Sequence, residues 1–203
     1  MEEGIDAEAV GVNRVYYGID NVMSKPLRVA ILGGGSTGKS TLATALAAHY
    51  QTIWVREYLR DFVEEKQRTP RADEQFGIAK IQVARELAML GNANGFLFCD
   101  TTPRMTAVYS SYYFGGVDVA LDALAQAHTY DFTIVAAPTI PWTSDGLQRD
   151  SEAARLAIHE IVMAMLRAAA IPFLLVEGDL KQRVQQATNY LPLPTSRVHM
   201  AST

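Results

Sequence analysis

Cysteine is nearly missing from this chain. Cys99 is the one example in 203 residues, which excludes an intrachain disulfide and a cysteine cluster for zinc. Long apolar runs are missing too, since none approaches the roughly 20 residues needed to span a bilayer. Positive charge is never concentrated: no five basic residues stand in a row, and the net charge is -4. Nothing therefore draws the chain broadly toward nucleic acid or an anionic membrane, and neither is expected as a partner. The acidic start, Met1-Glu-Glu-Gly-Ile-Asp6, lacks the basic residues and apolar core of a signal peptide. These absences predict a cytoplasmic protein in which Cys99 is a small buried apolar residue.

What remains is an ordinary globular balance, 49% hydrophobic and 20% charged, enough for one α/β domain with a substantial core. Apolar runs alternate with helical periodicity. Strands are expected at 27–32, 52–55, 95–100, 131–136 and 172–176, each a nearly continuous apolar stretch. Helices are expected at 39–50, 57–66, 73–90, 117–127, 151–169 and 180–189. The first of these should bury Leu42, Ala45, Leu46 and His49, and the third Phe76, Ala79, Val83, Leu87 and Leu90. Uninterrupted apolar strands separated by helices predict a five-stranded, mostly parallel sheet in a three-layer α/β/α arrangement. Residues 1–25 read as an extension, 26–190 as the domain and 191–203 as a tail.

The first strand ends in Gly33-Gly-Gly-Ser-Thr-Gly38-Lys39-Ser40, which satisfies G-x-x-x-x-G-K-[ST] at every fixed position. Glycines let the main chain fold into a nest of amides, so Gly34, Gly35, Ser36, Thr37, Gly38, Lys39, Ser40 and Thr41 are expected around phosphate. Lys39 would neutralise the β- and γ-phosphates and Ser40 would hold Mg²⁺, with a helix N-terminus behind them. The expected fold is that of P-loop NTPases, with ATP as co-substrate.

The chain has no Asn-Lys-x-Asp and no Asp-x-x-Gly, which excludes a switch GTPase. A large motor or AAA-type machine would need more chain and usually an Asp-Glu pair at the end of its acidic strand. Here Phe96-Leu-Phe-Cys-Asp100 ends in one acid, and Asp100 is either a Mg²⁺ partner of Ser40 or a cap of the following turn. A small-molecule kinase remains, in which positioning and charge neutralisation dominate. Its acceptor site needs a carboxylate near the attacking hydroxyl. Arg56-Glu57-Tyr58-Leu-Arg60-Asp61 supplies Glu57, Arg60 and Asp61 on one helical face, either for that purpose or as a solvated ion-paired surface. Pro138–Asp150 is a lid candidate carrying Trp142, Asp145 and Arg149. Arg149 or Arg155 would reach the transferring phosphate, unless Arg155 lies on the helix surface.

Several segments occur together in one order. They are Ile31–Ser40, Trp54-Val-Arg-Glu-Tyr-Leu-Arg-Asp61, Ile78-Ala-Lys-Ile-Gln82, Phe98-Cys-Asp-Thr101, Tyr112-Tyr-Phe-Gly115, Tyr130-Asp131 and Ile140-Pro-Trp-Thr-Ser-Asp-Gly146. This series resembles the ribosylnicotinamide kinase domain of NadR-like proteins across residues 27 to 190, and the resemblance implies a nucleoside/nucleotide-kinase-like fold. It also implies ATP-dependent phosphorylation of the 5′-hydroxyl of nicotinamide riboside, giving nicotinamide mononucleotide. Another small nucleoside as acceptor, or a non-catalytic sensor of pyridine nucleotides, are the alternatives. By position, Trp54 would stack on the nicotinamide ring and Glu57 would sit near the ribose, with Tyr58 and Arg60 beside it. Asp100 would lie near Mg²⁺ or the 5′-hydroxyl. Trp142 and Asp145 would close over the substrate, Arg149 would face the phosphates, and Gly178 would let adenine lie against the backbone. The family tends to carry further acids where this chain has Thr102, Ala137 and Thr139. No H-x-G-H segment is present, so a kinase without the adenylyltransferase of bifunctional members is expected.

Overall fold

The structure, a computed structural model, describes residues 25–143 and 151–193. Five strands, β1 (Leu27–Leu32), β2 (Ile53–Val55), β3 (Phe96–Asp100), β4 (Phe132–Ala136) and β5 (Leu174–Val176), form one sheet in the order β2-β3-β1-β4-β5. Every pairing is parallel. β1 is central, and its register places Ile31 beside Asp100 and Leu32 beside Val135. The β1 terminus, where the glycine loop begins, therefore lies level with the carboxylate that ends β3.

Helices cover both faces, which is why the strands are apolar on both sides. Val29 and Ile31 point toward α1 (Lys39–His49) and α7 (Leu180–Tyr190), in a core with Leu42, Leu46, Phe98, Val176 and Ala187. Ala30 and Leu32 point the other way, toward α4 (Pro103–Phe114) and α6 (Glu152–Ala168), packing on Met105, Ile158, Val162 and Leu166. α3 (Gln75–Leu90) covers β2 and β3, with Cys99 fully buried beneath it as its sequence context predicts. α2 (Tyr58–Lys66) and α5 (Val119–Ala127) complete the set among the described residues.

Helix starts follow local chemistry. Thr102 caps α4 ahead of Pro103, Asp118 caps α5, Ser151 caps α6, and Asp179 with Gln182 forms a reciprocal capping box on α7. The α5 cap moves that helix start two residues beyond the expected Val117. A short 3₁₀ turn, Ala72–Glu74, occupies the expected first turn of α3.

Two helical faces differ from expectation. α1 buries Leu42, Ala43, Leu46 and Ala47, leaving His49 exposed, because its small alanines let the helix approach the sheet along a neighbouring stripe. α3 buries Gln75, Ile78, Ala79, Gln82 and Glu86, while Leu87 is 58% exposed. The periodic apolar residues there misplace the inner face because three polar side chains hold inward positions. Glu86 shows how one of them is accommodated: it accepts from the Tyr130 hydroxyl at 3.0 Å and bonds His128 Nε2 at 2.7 Å. Burial, and then the adjacent Glu86 charge, push the Tyr130 hydroxyl well above its ordinary pKa. Glu86→Ala leaves two buried polar groups without their partner, so a loss of about 2 kcal/mol is expected in urea unfolding.

Leu191, placed in the tail by sequence, is buried against α1 and α7, so the core extends past residue 190. Residues 1–24 and 194–203, nearly all of the expected extension and most of the expected tail, lie outside the described residues. Among the described residues no helix is long and apolar enough to cross a membrane.

Candidate active site

The glycine loop follows β1 directly, and its two ends require glycine for different reasons. At Gly33, φ is 145° and a Cβ would stand 2.8 Å from Thr37 Oγ1 and 2.9 Å from the Ala136 carbonyl. At Gly38, φ is 82°, a left-handed residue that lets α1 begin at once with Lys39. Thr37 Oγ1 and Lys39 Nζ both donate to the Gly34 carbonyl at 2.9 Å, bracing the loop from within. Lys39 is buried.

Ser40 Oγ donates to Asp100 Oδ2 at 2.5 Å. The other carboxylate oxygen, Asp100 Oδ1, is buried with no hydrogen-bond partner. A hydroxyl joined to a carboxylate that keeps one oxygen unengaged is a donor set suited to Mg²⁺, which takes one or two protein oxygens and fills its octahedron from phosphate and water. Among the described residues no group of three or more His, Cys, Asp or Glu is placed to hold a metal. Of the two roles open to Asp100 in the sequence, capping falls instead to Thr102, whose hydroxyl accepts from Met105 N. Thr102 therefore serves the helix and not the loop.

A second buried carboxylate stands close by. Glu57, 4% exposed, follows β2, accepts from Thr101 Oγ1 at 3.0 Å and pairs with Arg60 Nε at 3.5 Å. Thr101 holds a left-handed conformation with φ of 74°, a strained geometry for a β-branched residue and of the kind that gathers at functional sites. Burial raises the Glu57 pKa, with Asp100 adding to the rise while Lys39, Arg60 and the Thr101 hydroxyl oppose it. Burial likewise raises Asp100 against the pull of Lys39 and Ser40. Desolvation outweighs the nearby cations in both.

Glu57 opens onto a cavity whose other walls are Leu59, Gln75, Ile78, Gln82, Thr101, Thr106 and Tyr109. Tyr109 reaches the loop, its hydroxyl donating to the Gly33 carbonyl at 3.4 Å, and its ring stacks on Tyr113 with centroids 6.3 Å apart. Tyr58 begins α2 with Arg85 4.6 Å above its ring centroid. Asp61 leaves this site altogether, held by Arg56 at 2.8 Å and Arg85 at 2.5 Å. The motif after β2 is thus divided between the two readings of its spacing: Glu57 faces inward and Asp61 belongs to an ion-paired outer face.

Trp54 is placed differently from expectation. It lies on β2, in register with Phe98, and packs against the α1-side core, so it is not among the residues lining the cavity. The alternation of the strand turns it to the opposite face. Trp142, at the start of the lid candidate, is half-buried, and its Nε1 has no hydrogen-bond partner among the described residues. Its loop crosses the glycine loop, where Ser36 Oγ donates to the Thr143 carbonyl. Asp145 and Arg149 lie outside the described residues.

Two arginines support the phosphate loop in ways not readable from their positions in the sequence. Arg155 is 2% exposed, so it is neither on the helix surface nor open to a ligand. It donates to the Ile140 carbonyl at 2.9 Å and the Ser36 carbonyl at 3.4 Å, and its backbone packs under Gly34. Arg183, also 2% exposed, donates from α7 to the carbonyls of Thr37 (2.6 Å), Ala137 (2.9 Å) and Gly178 (2.9 Å), and to Thr139 Oγ1 (3.1 Å). It ties the phosphate loop to the ends of β4 and β5. The backbone at Gly178, with φ of 85°, is thereby fixed relative to the phosphate nest. Arg183→Met removes the donors of four acceptors at once and should cost at least about 2 kcal/mol in urea unfolding. The polar wall of the cavity was equally unassigned, although Gln75, Ile78 and Gln82 follow one helical stripe in the sequence.

With this geometry in place, a family model described as an AAA domain matches residues 28–183, most of the chain. The chain belongs to this AAA domain family. The match begins on β1 and ends at Arg183, taking in both glycine-loop braces. The chain is 32% identical over 161 residues to the trifunctional NAD biosynthesis/regulator protein NadR of Salmonella typhimurium, an alignment covering 76% of this chain and 39% of that one. It therefore spans well under half the length of that relative. Among solved structures, NadR in complex with NR superposes with a TM-score of 0.68 at 20% identity, over 88% of this chain and 54% of the other. NadR with NAD and AMP-PNP gives 0.67 at 20%, over 85% and 51%. Deoxyadenosine kinase from M. mycoides gives 0.55 at 14%, over 81% and 98%. The shared architecture is the P-loop fold of nucleoside and nucleotide kinases, here with a sheet that is parallel throughout.

Proposed function

We infer that this domain is a kinase that phosphorylates the 5′-hydroxyl of nicotinamide riboside from ATP, giving nicotinamide mononucleotide. The observation that carries the reading is the placement of Glu57: a buried carboxylate, wired to Thr101 beside Asp100, opening onto a cavity, with only β3 between its strand and that of the phosphate loop. The likeness to NadR, solved with NR and with AMP-PNP, supports this choice of acceptor and donor.

In this reading the main-chain amides of Gly34–Thr41 enclose the triphosphate, and Lys39 leaves the Gly34 carbonyl to bridge the β- and γ-phosphates. Ser40 and Asp100 would hold Mg²⁺, which neutralises phosphate charge when bound. Glu57 accepts the 5′-hydroxyl proton as the ribose oxygen bonds to the γ-phosphorus, and the β–γ bridging oxygen departs with ADP. Tyr109, backed by Tyr113, supplies the aromatic wall of the acceptor cavity, and a cationic pyridinium ring gains roughly 0.5–2 kcal/mol against such a face. Arg183 fixes Gly178 at the adenine side. Trp142, Asp145 and Arg149 remain the proposed lid.

A coupled ADP-release assay on a nucleoside panel tests the proposal. Turnover should be highest with nicotinamide riboside and lower with nucleosides of neutral bases. No turnover with nicotinamide riboside contradicts it.

A further inference from the structure

α3 turns three polar side chains into the protein, Gln75, Gln82 and Glu86. Glu86 is fully engaged by His128 and Tyr130. Gln82 is not. Its Oε1 accepts from the Tyr58 backbone N–H, the first of α2, at 2.8 Å. That bond fixes the sense of the amide, because the reversed side chain would set two donors against each other. Nε2 must then direct its hydrogens elsewhere, and it is buried with no acceptor among the described residues. Gln82 is 3% exposed and forms part of the acceptor cavity beside Glu57, Thr101 and Tyr109. A buried donor without an acceptor is costly, and folded proteins seldom keep one unless a bound water, a ligand or a function engages it; at Gln82 the donor lines the acceptor cavity.

We propose that Gln82 is a specificity-determining residue of the acceptor site, its Nε2 donating to an oxygen of the bound nucleoside. The inference rests on the kinase reading and adds a requirement to it: the acceptor presents an oxygen lone pair to α3, from a carbonyl on its base or from a ribose hydroxyl. The site then combines opposite polarities. Glu57 takes a proton from one hydroxyl, while Gln82 gives a hydrogen bond to another oxygen and sets the angle of approach. Gln82 makes no described hydrogen bond to the phosphate loop or to its two arginine braces, so beyond holding the Tyr58 N–H its contribution belongs to acceptor binding.

The test uses the full chain, nicotinamide riboside, and ribosylpyridinium, which has the same cationic ring and sugar without the carboxamide. Gln82→Glu keeps an acceptor for Tyr58 N–H and removes both donors; Gln82→Met removes the whole amide at similar volume. Both variants should raise the acceptor KM roughly tenfold or more while the ATP KM stays within about twofold. A loss confined to nicotinamide riboside assigns the base carbonyl, and an equal loss with both acceptors assigns a ribose hydroxyl. Unchanged acceptor KM, or an equal rise in the ATP KM, overturns the inference. Calorimetric titration of nicotinamide riboside decides it without turnover: weaker binding to the variants than to the wild type supports it, and equal binding overturns it. Wild-type binding without turnover would sink the kinase reading alone, and no wild-type binding would sink both.

Discussion

Lys39→Met should lower kcat/KM for ATP by about 10²–10³-fold while leaving the fold intact. The ammonium is buried and bonds the Gly34 carbonyl, so it is already aimed into the phosphate nest. No other cation described at the loop replaces it. Arg155, buried with its Nη1 on the Ile140 and Ser36 carbonyls, and Arg183, buried with a donor on the Thr37 carbonyl, shape the nest from outside. The measurement is steady-state kinetics with circular dichroism as the fold control. A variant retaining more than about a third of wild-type kcat/KM would show that phosphate neutralisation has another source.

Glu57→Gln should have a still more distinctive outcome, because activity and stability are expected to move in opposite directions. Loss of a general base typically lowers turnover by about 10²–10⁴-fold. The sign for stability follows from the raised pKa of Glu57. A carboxyl whose pKa is higher folded than unfolded holds its proton longer in the native state. Native stability therefore falls as pH rises from the unfolded value through the folded one. A carboxylate that must lose its proton while buried is a net burden, and the neutral amide should remove it. Thermal melts should show Glu57→Gln at least as stable as wild type at pH 7, with a shallower decline across the mildly acidic range. Asp100, raised in the same direction, would keep part of that decline. In the wild type, the acidic limb of kcat/KM against pH should lie above the ordinary carboxylate range. A destabilised variant with unchanged turnover would remove Glu57 from the chemistry.

The parallel sheet and the phosphate loop were legible in the sequence because both rest on local rules. Apolar runs between helices predict buried parallel strands, and the loop motif carries its own backbone requirements at Gly33 and Gly38. The cavity beside Glu57 was legible only in part. Glu57 and Asp100 are strand-end acids, where parallel sheets place their chemistry. The face taken by Trp54 was not legible, because it depends on which side of β2 meets α1, a tertiary fact that a three-residue strand does not encode. α3 was misdirected for a related reason. Its inward Gln75, Gln82 and Glu86 break the apolar periodicity because partners distant in sequence hold them, Tyr58 for Gln82 and His128 and Tyr130 for Glu86. Arg183 was silent for the same reason, since its four acceptors come from segments between 5 and 146 residues away. Thr102, Ala137 and Thr139, where the resemblance implies acids, acquire a physical account only in three dimensions. Thr102 caps α4, while the Ala137 carbonyl and the Thr139 hydroxyl receive Arg183.

The most direct measurement is a crystal structure of the full chain with nicotinamide riboside and a non-hydrolysable ATP analogue. The riboside should occupy the cavity between α3 and Tyr109, with its 5′-oxygen within hydrogen-bond reach of Glu57 and the γ-phosphate enclosed by Gly34–Thr41. A riboside bound on the Trp54 face of the sheet, or a triphosphate outside that loop, would contradict the account.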